Sequence, residues 1–371
     1  MKKPKLASQP SMKSSGFSTN KLFARLSLKE QILFTKRLSF LIRAGVPILE
    51  SLRMLARYRS KSKNWIFSEI IKSVESGQYL SASMTRFRHI FGDFVIHIIR
   101  AGESVGILDQ NLSYLSEELK KQYELRRKIV SAMVYPLFII IATIGIVILL
   151  LAFVFPKVLP VFSSLNMELP LTTRLLIVTS DFAIKYGIYV GLAIVGLVVA
   201  FWILIKKNRR VKLFTDRVIM FLPVIGQLVQ NYQLTNFCRT FGLLLKSGLA
   251  VSESVTILAE TTPNLIYKNE LYKVAKAVSR GKKISQQMEK NPRYFPEILV
   301  QMIAIGELSG NLSETFLYLA EMYEGEVDEL TKNLSNSLEP ILMVSMGVIV
   351  GFMAVSIITP IYEITKNLSP R

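Results

Sequence analysis

Phe34–Leu52, FTKRLSFLIRAGVPILESL, returns later in the chain as Phe237–Val255, FCRTFGLLLKSGLAVSESV. Phe34 pairs with Phe237, Leu41 with Leu244, Gly45 with Gly248, Glu50 with Glu253 and Ser51 with Ser254, all at an offset of 203. Further on, AGESVGIL from Ala101 meets IGELSGNL from Ile305 at an offset of 204, so one residue has entered between the two landmarks. A self-match at a fixed period marks a duplicated structural unit. How far that unit extends decides the architecture.

Beyond the second landmark, Leu108, Leu112, Leu115, Leu119 and Tyr123 keep the three-and-four spacing of one helix face. Their equivalents are Leu312, Phe316, Leu319, Tyr323 and Val327, all apolar or aromatic, so both copies bury the same face. The match continues into apolar sequence, where Pro136 pairs with Pro340 and Pro156 with Pro360. Each copy therefore includes a membrane-length segment.

Half of the residues are hydrophobic and the mean hydropathy is positive, +0.36, which points to a membrane before any soluble fold. Ile129–Pro156, Tyr186–Ile205 and Pro340–Tyr362 carry no charge, and each supplies the roughly 20 residues a crossing needs. Arg126, Arg127 and Lys128 precede the first; Lys206, Lys207, Arg209 and Arg210 follow the second. By the positive-inside rule these ends face the cytoplasm. Two copies in the same orientation need one returning span between them, and the middle segment supplies it. A parallel repeat with an odd number of spans also departs from the inverted repeats of secondary transporters.

Between the spans the patterning is helical, without a convincing alternating strand, so the fold class is all-α: two homologous cytoplasmic helical bundles of about six helices each, plus three transmembrane helices. Ser27 with Glu30 reads as a capping box, Gly45 as a helix end, and Thr262 with Pro263 as the opening of a helix in the second copy. The last helix of each bundle is expected to run on into its span. The expected organisation is a flexible basic tail over 1–26, a cytoplasmic domain over 27–128, a span over 129–156, an external loop over 157–185, a span over 186–205, a second cytoplasmic domain over 206–338, a span over 339–362 and an external tail over 363–371. The N-terminus lacks the apolar core and cleavage site of a secretory signal peptide.

Most of the net charge of +19 is explained by the positive-inside pattern of charges close to anionic lipid, and no aromatic–arginine cluster indicates direct nucleic-acid binding. Cys238 is the single cysteine and reads as a small buried apolar residue. His89 and His97 stand eight apart with no Cys or acidic cluster at metal-ligand spacing, and no phosphate-binding loop, HExxH or GxSxG is present. No catalytic residue or cofactor is expected.

Three features remain as candidate interaction sites. Gly102, Glu103 and Gly106 correspond to Gly306, Glu307 and Gly310. The glycines allow a tight break between helices, and each glutamate can favour the N-terminus of the next helix or face a partner or cation. Glu339, followed by Pro340, is the acid at the mouth of the third span, either capping that helix in the headgroups or serving function there. Gly187 with Gly191 and Gly347 with Gly351 have the spacing of close helix contacts.

The two GE-x-x-G-x-L motifs, LPVIGQLVQNYQLTNFCRTFGLLLKSGL from Leu222, PKVLPVFSSLNMELPLTTRLL from Pro156 and the Glu-Pro opening of the third span together resemble the type II secretion protein F family over about residues 30–365. The resemblance implies a multi-pass platform in the plasma (inner) membrane, N-terminus in the cytoplasm, at the base of a type IV pilus or type II secretion machine, or of a competence pilus. A cytoplasmic hexameric ATPase would supply the chemistry, and pilins or pseudopilins, other machine subunits, membrane lipids and further copies of the chain would be partners. The N-terminal region is short for the family. On this view Glu103 and Glu307 would contact the ATPase, while Glu339, Pro340, Gly347 and Gly351 would receive a pilin. A transporter or an unrelated membrane scaffold is the alternative, but the spans carry almost no polar residue for a transport path.

Overall fold

The computed structural model describes residues 26–57, 64–150 and 171–368. Most of the 1–26 tail, Pro156, the first part of the 157–185 loop and the end of the 363–371 tail lie outside them; Leu26 itself is buried. The described residues are helical with no strand and divide into two compact units between Lys120 and Lys121.

The first unit opens with α1 (Leu28–Arg43), α2 (Ile48–Arg57), α3 (Asn64–Glu75), α4 (Leu80–Thr85), α5 (Arg88–Phe91) and α6 (Asp93–Val105), followed by α7 (Leu108–Leu149). The capping box forms as its spacing predicts: the Glu30 amide donates to Ser27 Oγ at 3.3 Å and the Ser27 amide to Glu30 Oε2 at 2.7 Å. Gly45 ends α1 at φ +83°. That conformation lets the Gly45 and Val46 amides reach the carbonyls of Ile42 and Leu41 at 2.9 and 3.0 Å. The core gathers Phe34, Leu38, Leu52, Ile66, Phe67, Ile70 and Met84, all fully or almost fully buried.

The second unit holds the rest of α7, then α8 (Leu171–Lys207), α9 (Arg209–Phe221), α10 (Ile225–Lys246), α11 (Val251–Thr261), α12 (Leu265–Val278), α13 (Ile284–Met288), α14 (Glu297–Ser309) and α15 (Leu312–Leu368). Its core forms where α10 lies along the start of α15: Gly242 lets the helices approach so closely that a Cβ there would stand 2.9 Å from Leu317 Cγ. The duplication reaches individual contacts. Phe34 meets Phe91 at 6.0 Å between ring centroids, and the equivalent Phe237 meets Phe295 at 6.3 Å. Phe316 adds a ring 4.6 Å from Phe241, and such edge-on pairs contribute about 0.5–1.5 kcal/mol beyond their buried area.

Two local expectations change. Thr262 does not open a helix: it ends α11, its amide bonded to Leu258 O at 3.0 Å. Asn264 takes the N-cap of α12, with Oδ1 accepting from the Ile266 and Tyr267 amides at 2.9 and 3.2 Å. The Thr262 hydroxyl also turns back to α11, donating to Leu258 O at 2.7 Å, so the side chain serves the helix it ends. Second, α8 begins at Leu171, inside the segment expected to be an external loop.

Among the described residues three helices are long and apolar enough to cross a membrane: Leu108–Leu149, Lys185–Lys207 and Leu312–Ser356. In the first and last, bundle and apolar segment form one helix. At 1.5 Å per residue, the 42 residues of α7 and 57 of α15 extend about 63 and about 86 Å. Within the second unit, Lys121 pairs with Glu321 at 3.3 Å and Lys128 with Asp328 at 2.6 Å, so α7 and α15 run side by side above their apolar parts.

Candidate functional site

The paired Gly-Glu motifs fold alike, and each residue type has its own physical reason. Gly106 and Gly310 end α6 and α14 at φ +81° and +72°, the left-handed conformation open to glycine. Gly102 and Gly306 permit a close crossing instead. A Cβ on Gly102 would stand 2.9 Å from Leu108 Cα, and one on Gly306 2.7 Å from Thr315 Oγ1.

The glutamates reach backward along the chain, not forward to the next helix as expected. Glu103 accepts the Leu80 amide at 2.6 Å on Oε1 and the Ser81 amide at 3.0 Å on Oε2. Glu307 accepts the Ile284 amide at 2.5 Å and the Ser285 amide at 3.3 Å, and the Ser285 hydroxyl also donates to it. These are the first amides of α4 and α13, whose own N-caps, Tyr79 and Lys283, make no side-chain cap. The first amides of a helix have no intrahelical acceptor, and the helix dipole concentrates positive charge there. A carboxylate from the helix packed alongside satisfies both needs. Leu80-Ser81 and Ile284-Ser285 themselves recur at the repeat offset, the one sequence signal that could have exposed the clamp.

Glu339 and Pro340 lie far along α15, not at a helix opening. The capping role is therefore excluded: the helix that contains Glu339 starts at Leu312, and its end groups lie in the bundle. Both residues are exposed. Gly187, Gly191, Gly347 and Gly351 have no atom within 4 Å of where a Cβ would stand, so none forms a close helix crossing within the described part of the chain.

Sequence reading missed one buried ion pair. Arg239 is 2% exposed and its guanidinium bonds Glu324, joining α10 to α15. An arginine amid FCRTFGLLL was the available clue. Its equivalent in the first copy is Lys36, and that of Glu324 is Lys120, so this pair belongs to the second copy alone. Beside it, Cys238 is fully buried, which pushes its thiol well above its ordinary pKa. Tyr267, whose hydroxyl donates to Tyr294 O at 3.1 Å, is likewise pushed up by burial. His89 shares no metal-like cluster; among the described residues no group of three or more His, Cys, Asp or Glu is placed to hold a metal.

The family model described as type II secretion system (T2SS), protein F matches twice, over residues 34–156 and 237–360. The type IV pilus assembly protein PilC of Thermus thermophilus is 34% identical over 92% of this chain and 84% of its own length. PilC of Pseudomonas aeruginosa is 30% identical over 90% and 89%. The type II secretion system protein F of Aeromonas hydrophila is 30% identical over 94% and 90%. With two matched copies that together cover more than half the chain, and relatives at this identity along nearly all of it, the protein belongs to the type II secretion system protein F family.

Proposed function

We propose that this chain is the inner-membrane platform of a type IV pilus or type II secretion machine, coupling a cytoplasmic hexameric ATPase to the insertion of pilins or pseudopilins. The supporting observation is that α7 and α15 each unite a bundle helix with a membrane-length apolar helix, so a displacement imposed on a bundle is carried into the bilayer without a hinge loop. A cytoplasmic side for the bundles and the N-terminus is supported by the basic residues beside the apolar segments, Arg126, Arg127 and Lys128 in α7 and Lys206 and Lys207 at the end of α8. The chain itself performs no reaction in this scheme; nucleotide hydrolysis belongs to the ATPase.

Glu103 and Glu307 then act by shaping the two bundles, because both of their oxygens are engaged by backbone amides. Glu339 and the open glycine face of Gly347 and Gly351 remain available to a pilin's apolar helix and terminal amine. Deleting the gene should abolish filaments or secretion, and the full-length protein in detergent should recover the assembly ATPase on co-purification. Normal assembly in the deletion strain would sink the proposal. Glu339→Gln should impair assembly while the protein still inserts in the membrane; wild-type filament numbers would remove Glu339 from the pilin path.

A further inference from the structure

Helix α9 presents one face that the described residues leave largely exposed, with the Arg293 guanidinium over its last ring, Phe221. Arg210, Phe214, Arg217, Val218 and Phe221 are all exposed, and their spacing puts them on a single side of the helix. Phe214 is 67% and Phe221 62% exposed. The apolar surface continues through the turn after the helix, where Leu222, Val224 and Ile225 are each more than two-fifths exposed. Val224 is held there at φ 64°, ψ −55° by a bond from the Ile225 amide to Pro223 O at 2.7 Å. Such a γ-turn is strained for a β-branched residue.

The opposite face is fixed. Lys212 Nζ donates to Pro263 O at 2.8 Å, Asp216 accepts the Leu265 amide at 2.9 Å, and a Cβ on Gly226 would stand 2.5 Å from Met220 O. The outward face is thus set by packing. Nor does α9 with α10 form a span: the two helices are bent by 112°, and α10 carries the buried Phe237, Phe241 and Leu244 of the bundle core.

Position identifies the occupant. Only Asn208 separates α9 from α8, and its Oδ1 caps α9 by accepting the Arg210 amide at 3.0 Å. Lys206 lies over the Trp202 ring, 3.4 Å from its centroid, the aromatic–basic pairing of a membrane–water boundary. Lys206, Lys207, Arg209, Arg210 and Arg217 put positive charge at the start of α9 and along it, and the Arg293 guanidinium sits 3.9 Å from the Phe221 ring centroid. An apolar face flanked by cations at the end of a span fits a layer of anionic lipid headgroups and upper acyl chains.

We propose that α9 lies in the cytoplasmic leaflet as an interfacial helix, holding the second bundle against anionic lipid through Phe214, Val218, Phe221 and Leu222. This rests on the membrane reading of α8. In the first copy the corresponding residues 6–18, LASQPSMKSSGFS, repeat neither the basic pair nor the apolar spacing.

The test uses full-length protein with Cys238→Ala, carrying one spin-labelled cysteine at 195, 214, 218 or 272, in nanodiscs of phosphatidylethanolamine and phosphatidylglycerol. Collision with oxygen should exceed collision with a nickel chelate at 195, and to a lesser extent at 214 and 218, with the order reversed at 272. Replacing phosphatidylglycerol by phosphatidylcholine should move 214 and 218 toward the chelate while leaving 195 unchanged. Chelate access at 214 and 218 in the anionic discs, with 195 in lipid, overturns the interfacial helix and leaves α8 as a span. Shielding of 214 and 218 from both reagents assigns the face to a second protein copy, which also overturns it. A chelate-accessible 195 overturns the membrane reading and the anchor together, and indifference to lipid charge overturns recognition of anionic lipid.

Discussion

Removing the carboxylate clamp tests the reasoning about the Gly-Glu motifs most directly. In Glu307→Ala the amides of Ile284 and Ser285 lose their acceptor, and α13, with no side-chain cap of its own, keeps none. Losing an N-cap costs about 1 kcal/mol, and a hydrogen bond to a charged group contributes about 1.5–3 kcal/mol. These overlap, so we expect about 2–3 kcal/mol, concentrated at the start of α13. A membrane protein of two units does not melt in one step, so local opening is the better measure. Amide hydrogen exchange read by mass spectrometry in detergent should show protection over 284–288 falling about 30- to 150-fold. Glu307→Gln keeps one oxygen and should lose about tenfold. Glu103→Ala should do the same over 80–85, where Leu80 and Ser81 are held identically. Glu289→Ala, at an exposed position beside α13, is the control and should change nothing. Undiminished protection in Glu307→Ala, with the ATPase lost on co-purification, would refute the clamp and return Glu307 to a contact role.

Gly102→Ala should destabilise its bundle by about 1–3 kcal/mol through overpacking, more than Gly306→Ala, because the obstacle is the Leu108 backbone in the first case and the rotatable Thr315 side chain in the second; amide hydrogen exchange over α6 and α14 ranks the two. Glu324→Ala removes the carboxylate facing the buried Arg239 guanidinium and should cost about 3 kcal/mol, the lower end of the range for broken buried pairs since Glu324 is partly exposed. Combining Arg239→Met with Glu324→Leu should recover most of that loss in the same assay. Cys238, buried with its thiol pKa raised, should resist a thiol reagent at pH 8 until denaturant unfolds the bundle; rapid labelling of the native protein would contradict its burial.

The duplication was legible because core positions must recur wherever the same helices pack, and Phe34 with Phe237 carries that signal into matching aromatic contacts. The long helices were legible too, since apolar sequence follows each bundle's last amphipathic face with no glycine between them. The clamp was only half legible. Glutamate beside glycine suggested a helix N-terminus, but which one is a matter of tertiary packing, and the carboxylate turns to a helix 23 residues upstream. Asn264 was overlooked because Thr-Pro is the more familiar helix opening, whereas Thr262 already serves α11. The spacing of Phe214, Val218 and Phe221 marks one side of α9, but such a side is as often turned to a core; only the packing of Lys212 and Asp216 reveals that it is the one left over.

Pro136 and Pro340, one in each long helix at the repeat offset, have a mechanical meaning. Proline has no amide hydrogen, so the carbonyls of Ala132 and Asn336 each lose the rung they would otherwise accept. A beam with a missing rung bends there first. Each strut therefore has its compliant point at the same height, just inside its apolar segment. A push from below would first change the angle at which each strut enters the bilayer, before its length or its grip on the bundle.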